Sequence, residues 1–426
     1  MLEKLHKVII MFISLLSISI TAQKKCGTVE ILKNRMRTDS SILLRMQNSE
    51  IKTQKWISDH SKMNAKSVAQ VITIPVVVHV IWNNATENIS DAQIKSQIDV
   101  LNADFREMNL DALPNTHPFY TLSTDTAIEF CLATRDPNGK ATNGITRTFT
   151  TTTGFDGKSG DEKFTAKGGK DNWNPTQYLN IWVCNLSASD GTLGYAQFPS
   201  DLVAMPSTDG VVIRYEAVGS TGTAGTTPFE GNNLGRTATH EVGHWLNLSH
   251  IWGDNEPDCG DDMVSDTKPS FEPNYICKTF PWRPMNKCGT DENGEMYMNY
   301  MDYVDDNCMN MFTTGQALRM RSALNTERIG LLSSLGCSTA LAINNFDLEN
   351  SIVIYPNPSN GIFSITFQNS DPALYRLTVL DISGKTIKNI SIKNSQIDLS
   401  ELSNGTYLLK INSLEKSITK KIIINK

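Results

Sequence analysis

The sequence predicts an α+β chain: a domain on a mixed, twisted sheet with a histidine-bearing helix and a loop-rich C-terminal part, followed by a small all-β sandwich. Three observations predict it. Residues 71–82 are β-branched almost throughout, as a strand buried on both faces would be, and a helical pattern follows them. Three of the seven histidines fall between His240 and His250 at helical spacing. Residues 346–426 contain no Cys, His, Trp or Met and alternate short apolar runs with Asn, Ser and Gly turns.

Composition narrows the function classes. With 426 residues, 39% hydrophobic and 8% aromatic, the chain is neither disordered, collagenous nor a coiled coil, and its length suits two or three domains. Its 39 Lys+Arg stand against 45 Asp+Glu, a net charge of −6, without a basic cluster. Nothing supplies the counterion-releasing face that nucleic-acid binding needs, so no nucleic-acid partner is expected.

Taken in order, Lys4 and Lys7 precede an apolar run over residues 8–13, continued by Leu15, Leu16, Ile18 and Ile20 up to Thr21-Ala22-Gln23. That is a signal peptide over residues 1–22, too short for an anchor that wants about 20 uninterrupted apolar residues. No later stretch approaches it, so a mature form without a membrane span, secreted through the periplasm to the exterior or cell surface, is expected. Residues 23–69 are polar, with helical spacing loosely kept by Ile31, Met36, Leu43 and Met46, and read as a pro-segment. The main domain spans 70–337. Its first helix opens at Ser90 with Gln93 three residues on and carries Ile94, Ile98, Leu101 and Phe105. Further strands are expected at 126–132, 178–186 and 210–215, with a long loop over 148–170. Residues 194–199, closed by Pro199, suit an edge strand to which a peptide could be added by main-chain hydrogen bonds. A linker (338–345) leads to the sandwich (346–426).

Export makes disulfides permissible among the eight cysteines. Cys259, Cys277, Cys288 and Cys308 crowd one stretch, where three pairings are possible. With no C-x-x-C among them, a zinc ribbon is a poor reading.

The chemistry lies in His240-Glu241-Val242-Gly243-His244-Trp245-Leu246-Asn247-Leu248-Ser249-His250. His240 and His244 project from one helical face and can share one Zn²⁺, with Glu241 beside them and Val242, Trp245 and Leu246 turned to the core. His250, six residues on, would stand about 120° off that face on a straight helix. The helix must therefore stop and turn. The turn needs a left-handed residue, and Asn247 stands where it is required. A rival plan with a downstream glutamate as third ligand finds no E-x-x-x-D after His250.

These residues resemble the extended zinc signature H-E-x-x-H-x-x-G-x-x-H of the metzincin metalloproteases, in its pappalysin branch, with Asn247 where the signature has Gly. Residues 298–303 (Met-Asn-Tyr-Met-Asp-Tyr) are similar to that branch's Met-turn, and the likeness spans about residues 74–337. The resemblance implies Met301 beneath the metal, Tyr303 stabilising the tetrahedral intermediate, disulfides Cys259–Cys288 and Cys277–Cys308, and Ca²⁺ in the loop bearing Asp261, Asp262, Asp266 and Thr267. It also makes Cys26-Gly27 similar to a cysteine switch, in which a thiolate fills the fourth zinc position; a disulfide from Cys26 to Cys337 is the alternative. The motifs of residues 355–361 and 405–407 and the final 420–426 resemble the sorting domain of type IX secretion cargo, which implies the secretion machinery as partner.

The expected activity is that of a secreted zinc endopeptidase acting on proteins or peptides as a monomer, through a zinc-bound water with Glu241 as general base. Asp305 and Asp306 could draw a basic side chain into the pocket after the scissile bond. The second reading, an adhesin or binding protein on an inactive protease scaffold, is opposed by the presence of Glu241.

Overall fold

The computed structural model describes residues 25–60, 70–187, 191–254, 259–285, 288, 292–338, 352–367, 375–390, 395–412 and 417–426. The expected signal peptide and most of the linker lie outside them. The chain divides into two compact units, Met1–Ala340 and Leu341–Lys426. Among the described residues no helix is long and apolar enough to cross a membrane.

The first unit is built on a sheet of strands β1 (Lys25–Cys26), β2 (Ile72–Trp82), β3 (Ile128–Leu132), β4 (Ile145–Phe149), β5 (Leu179–Cys184), β6 (Thr192–Ala196) and β7 (Val211–Arg214), in the order β1-β6-β7-β5-β2-β3, with β4 also on β2. The β-branched run forms β2, buried along most of its length because strands flank it on both sides. On one side β3 pairs with Ile72–Val76 and β4 with Val78–Trp82; β5 lies on the other, all parallel. Strand β6 is antiparallel to β7. The expected edge strand thus starts two residues early, and its free side is occupied by β1, which pairs with it in parallel.

Among the described residues, five α-helices complete this unit: α1 (Thr28–Met36), α2 (Ser41–His60), α3 (Asp91–Phe105), α4 (Arg236–Trp245) and α5 (Thr314–Asn325). Helix α3 begins where Ser90 Oγ accepts from Gln93 N–H at 3.1 Å, and it buries Ile94, Ile98, Leu101 and Phe105. A full capping box opens α5: Thr313 Oγ1 accepts from Gln316 N–H and Gln316 Oε1 from Thr313 N–H. One expectation is extended and one corrected. Residues 23–69 contain the well-formed α1 and α2, and α2 buries only Ile42, Ser49 and Thr53, which explains its weak sequence pattern. The 148–170 loop begins later, because 145–149 adds β4 to the end of β2.

Three disulfides join Cys131 to Cys337, Cys259 to Cys288, and Cys277 to Cys308. Cys26 and Cys184 are free and buried. The alternative bridge from Cys26 to Cys337 is therefore excluded, since Cys337 is spent on β3.

In the second unit, strands β8 (Ile352–Tyr355), β9 (Ile362–Phe367), β10 (Arg376–Leu380), β11 (Thr386–Ile390), β12 (Gln396–Asp398), β13 (Gly405–Asn412) and β14 (Ser417–Ile424) form a four-stranded sheet, β11-β10-β13-β14, and a three-stranded sheet, β12-β9-β8. Phe363, Ile365, Val379, Leu409 and Ile411 are buried among the residues of its core. Alternation places these side chains on the inner faces.

Helix α4 is held from behind by an ion pair with no exposure on either side. Arg328 donates to both oxygens of Asp209 at 2.9 Å and lies 3.8 Å over the Trp245 ring, while Trp245 Nε1 donates to Asp209 Oδ2. Removing one partner strands the other charge. Asp209→Ala is expected to destabilise the protein by about 3–5 kcal/mol in denaturant unfolding, whereas an exposed pair such as Lys95–Asp99 should contribute under about 1 kcal/mol.

Candidate metal centre

Helix α4 carries the histidines, and its start is fixed by Asp306, whose carboxylate accepts from Leu234 N–H at 2.9 Å and Arg236 N–H at 3.2 Å. Those bonds satisfy donors that a helix N-terminus leaves open. Asp306 is buried by this duty, which corrects the expectation that it draws a substrate side chain. Asp104 ties the helix to the Met-turn: it accepts from Thr239 Oγ1 at 2.7 Å and Tyr300 Oη at 2.9 Å.

The helix ends as the signature requires. Asn247 has φ 77°, and the bonds Asn247 N–H to His244 O (2.9 Å) and Leu248 N–H to Gly243 O (3.0 Å) close a Schellman turn. Asn247 Nδ2 donates to Thr53 Oγ1 of α2, and Arg319 Nε donates to Asn247 O. The turn swings His250 back, so that its Nε2 lies 3.1 Å from Nε2 of both His240 and His244.

What occupies the other ring nitrogens decides what these three atoms can do. His240 Nδ1 meets Tyr300 O at 2.7 Å, His244 Nδ1 meets Leu248 O at 2.7 Å, and His250 Nδ1 meets the Asp254 carboxylate at 2.5 Å. Oxygen acceptors place the proton on Nδ1, leaving each Nε2 with a lone pair aimed at the same point. Burial lowers His240 to about 3 and carries His244 well below its ordinary value, so both rings stay neutral. Three lone pairs without a donor suit a cation: nitrogens about 2.0 Å from a tetrahedral zinc stand roughly 3.3 Å apart. Cys26 Sγ joins them, and the four donor atoms lie within 4.8 Å of one another. Among the described residues, theirs is the group of His, Cys, Asp and Glu that could hold a metal ion.

Glu241 faces the same space. Its Oε2 accepts from Thr28 Oγ1 at 2.9 Å and Cys26 Sγ at 3.3 Å, and its Oε1 is buried without a partner. Burial pushes the carboxyl up to about 8. Gly194 of β6 lies directly above, where an added Cβ would come within 3.0 Å of Glu241 Cγ. Tyr303 packs its ring 4.9 Å from that of His250 and donates from Oη to Cys26 O at 3.4 Å; burial pushes its phenol up, keeping the proton in place. Met301 is fully buried below, against Gly243, whose missing side chain leaves room for Met301 Sδ.

The calcium residues are not gathered in the same way. Asp262 Oδ1 accepts from Thr267 Oγ1 at 2.7 Å and its Oδ2 is unpartnered, but Asp266 is turned to the start of α5, accepting from Thr313 Oγ1 and Gly315 N–H. Thr28 and Asp254 went unread in the sequence. Asp254 had a signal, a carboxylate four residues past His250; Thr28 had none beyond standing next to Gly27.

A buried three-histidine centre under β6, with a Met-turn beneath it, is the arrangement of the metzincin metalloendopeptidases. Comparison with known proteins agrees and narrows the class. Residues 163–325 match the family described as pregnancy-associated plasma protein-A, and residues 353–425 match the secretion system C-terminal sorting domain. An extracellular metalloprotease of Arthroderma otae is 32% identical over 273 residues, covering 61% of this chain and 80% of that protein. The structure of mature mirolysin from Tannerella forsythia in complex with a cleaved peptide is 49% identical, with TM-score 0.60, covering 64% of this chain and 99% of that one. A promirolysin mutant from the same organism is 46% identical, with TM-score 0.63, covering 72% and 97%. The chain belongs to the pregnancy-associated plasma protein-A family of metallopeptidases, and it carries a secretion sorting domain at its C-terminal end.

The turn at Asn247 yields a direct test. Asn247→Ala puts a Cβ-bearing residue without local hydrogen bonding at positive φ and should cost about 1–2 kcal/mol in denaturant unfolding, while Asn247→Gly should keep the turn and its metal content.

Proposed function

We propose that this metallopeptidase uses zinc, with His240, His244 and His250 as its ligands and Glu241 as the general base, and that the pro-segment keeps it latent through Cys26. The observation that carries this reading is the meeting of three proton-free Nε2 atoms beside a carboxylate with one unpartnered oxygen. In the latent chain Cys26 Sγ is the fourth donor. When bound, the ion supplies Lewis acidity to the scissile carbonyl and to water.

The chain's own residues do the rest. Glu241, released from Thr28 and Cys26 when the pro-segment leaves, takes the proton of the attacking water and hands it to the leaving amine. Tyr303 then offers its Oη–H to the oxyanion, having lost Cys26 O as acceptor. Substrate takes the edge of β6 that β1 fills in the latent chain. Latency is supported by the burial of Glu241 under pro-segment atoms. Calcium is a secondary proposal on Asp262 and Thr267, checked by a rise in melting temperature on adding Ca²⁺ to chelator-treated protein. The C-terminal unit is proposed as an address for the type IX machinery.

Processed wild type should cleave casein or gelatin and lose that activity to a zinc chelator. Glu241→Ala should be slower by a factor of about 10²–10⁴ while retaining its zinc in elemental analysis. If zinc-loaded wild type and the variant prove equally inert, the adhesin reading takes its place. In the unprocessed chain, Cys26→Ala should hydrolyse peptides faster than wild type.

A further inference from the structure

We propose that Asp201 is a specificity-determining residue, receiving an arginine or lysine side chain of the substrate on the N-terminal side of the scissile bond, and that Arg35 and Arg45 of the pro-segment hold its place in the latent chain. The proposal rests on the hydrolytic and latency reading above.

Asp201 follows β6 on a short turn and is 1% exposed. Its Oδ2 accepts from Arg35 Nη2 at 2.8 Å and its Oδ1 from Arg45 Nε at 2.7 Å. Both guanidinium groups belong to the segment that must leave, one on α1 and one on α2. No other side chain is seen on that carboxylate among the described residues. Maturation therefore uncovers this carboxylate and takes away both of its cations, leaving two oxygens open to a basic side chain.

The wall stands without the pro-segment. Met205 N–H donates to Asp201 O at 2.8 Å, Gln197 Nε2 to Met205 O at 3.0 Å, and Thr208 Oγ1 to Gln197 Oε1 at 2.6 Å. The nearby buried lysine, Lys163, does not serve as a substitute: its Nζ donates to Thr208 O and lies over the rings of Trp182 and Tyr195. Met205 Sδ, against Arg35 Nη2, gives the pocket an apolar side for the stem of a long basic side chain.

Chain direction sets which side of the scissile bond is read. Cys26 pairs with Gly194, level with Glu241, and β1 runs parallel to β6. We take the substrate to pair antiparallel with β6, as β7 does on the other side, which points its N-terminal part past Ala196 towards Asp201. From Thr28 to Arg35 helix α1 advances about 11 Å, which an extended peptide covers in roughly three to four residues. Asp201 thus addresses a side chain roughly three to five residues before the cut.

Cleavage of a proteome-derived peptide library by the processed, zinc-loaded enzyme, read by mass spectrometry, tests this. Wild type should enrich Arg and Lys about tenfold at one of those positions, the discrimination one charge-assisted hydrogen bond supplies. Asp201→Asn should lose that enrichment, and Asp201→Glu should keep part of it. Cleavage by wild type without enrichment there, or enrichment that survives Asp201→Asn, overturns the assignment of Asp201 while leaving the protease reading intact. If processed wild type cleaves nothing, both fall together. Should the variants not fold, the wild-type profile alone still decides between enrichment and none.

Discussion

The geometry of this protein depends on where three protons sit. Each imidazole gives its Nδ1–H to an oxygen held by the fold: the Met-turn carbonyl of Tyr300, the carbonyl of Leu248 and the carboxylate of Asp254. That choice of tautomer leaves three lone pairs facing one another at van der Waals distance, an arrangement that is unfavourable without a cation and favourable with one. The supports of the rings are accordingly as much a part of the centre as the rings. Asp104 binds both Thr239 of the helix and Tyr300 of the Met-turn, Asp306 fixes the helix start, and the Asn247 turn delivers His250.

Much of this was legible in the sequence, and the reason is locality. The i, i+4 histidines and the offset of His250 are consequences of helical pitch, so the need for a turn at Asn247 could be worked out from spacing. The β-branched run of β2 and the alternating runs of the C-terminal unit are likewise local patterns. Thr28, Asp201, Asp306 and the Asp209–Arg328 pair were not legible, because each acts across a large separation in sequence. Asp306 misled for a specific reason: an aspartate just past the Met-turn looks available, yet its oxygens are taken by backbone donors some seventy residues earlier.

The proposed pro-segment shows the same limit from the other side. Its helices bury few side chains, so their apolar periodicity is faint, although they engage the protein at many points. Cys26 and Thr28 cover the centre, Arg35 and Arg45 hold Asp201, Thr53 reaches Asn247, and Glu50 forms an ion pair with Arg319. Polar anchors of this kind let a segment dock firmly and still dissolve in water once cut loose, which a greasy interface would resist.

The bridge between Cys131 and Cys337 has a mechanical meaning. It pins the end of the first unit to β3 across 206 residues of chain, and Thr134 adds hydrogen bonds to Gly336 O and Ser338 O. Tension or proteolysis applied beyond residue 338 meets a covalent stop at Cys337. From that end, the first unit cannot be unravelled past Cys337 while the bridge stands.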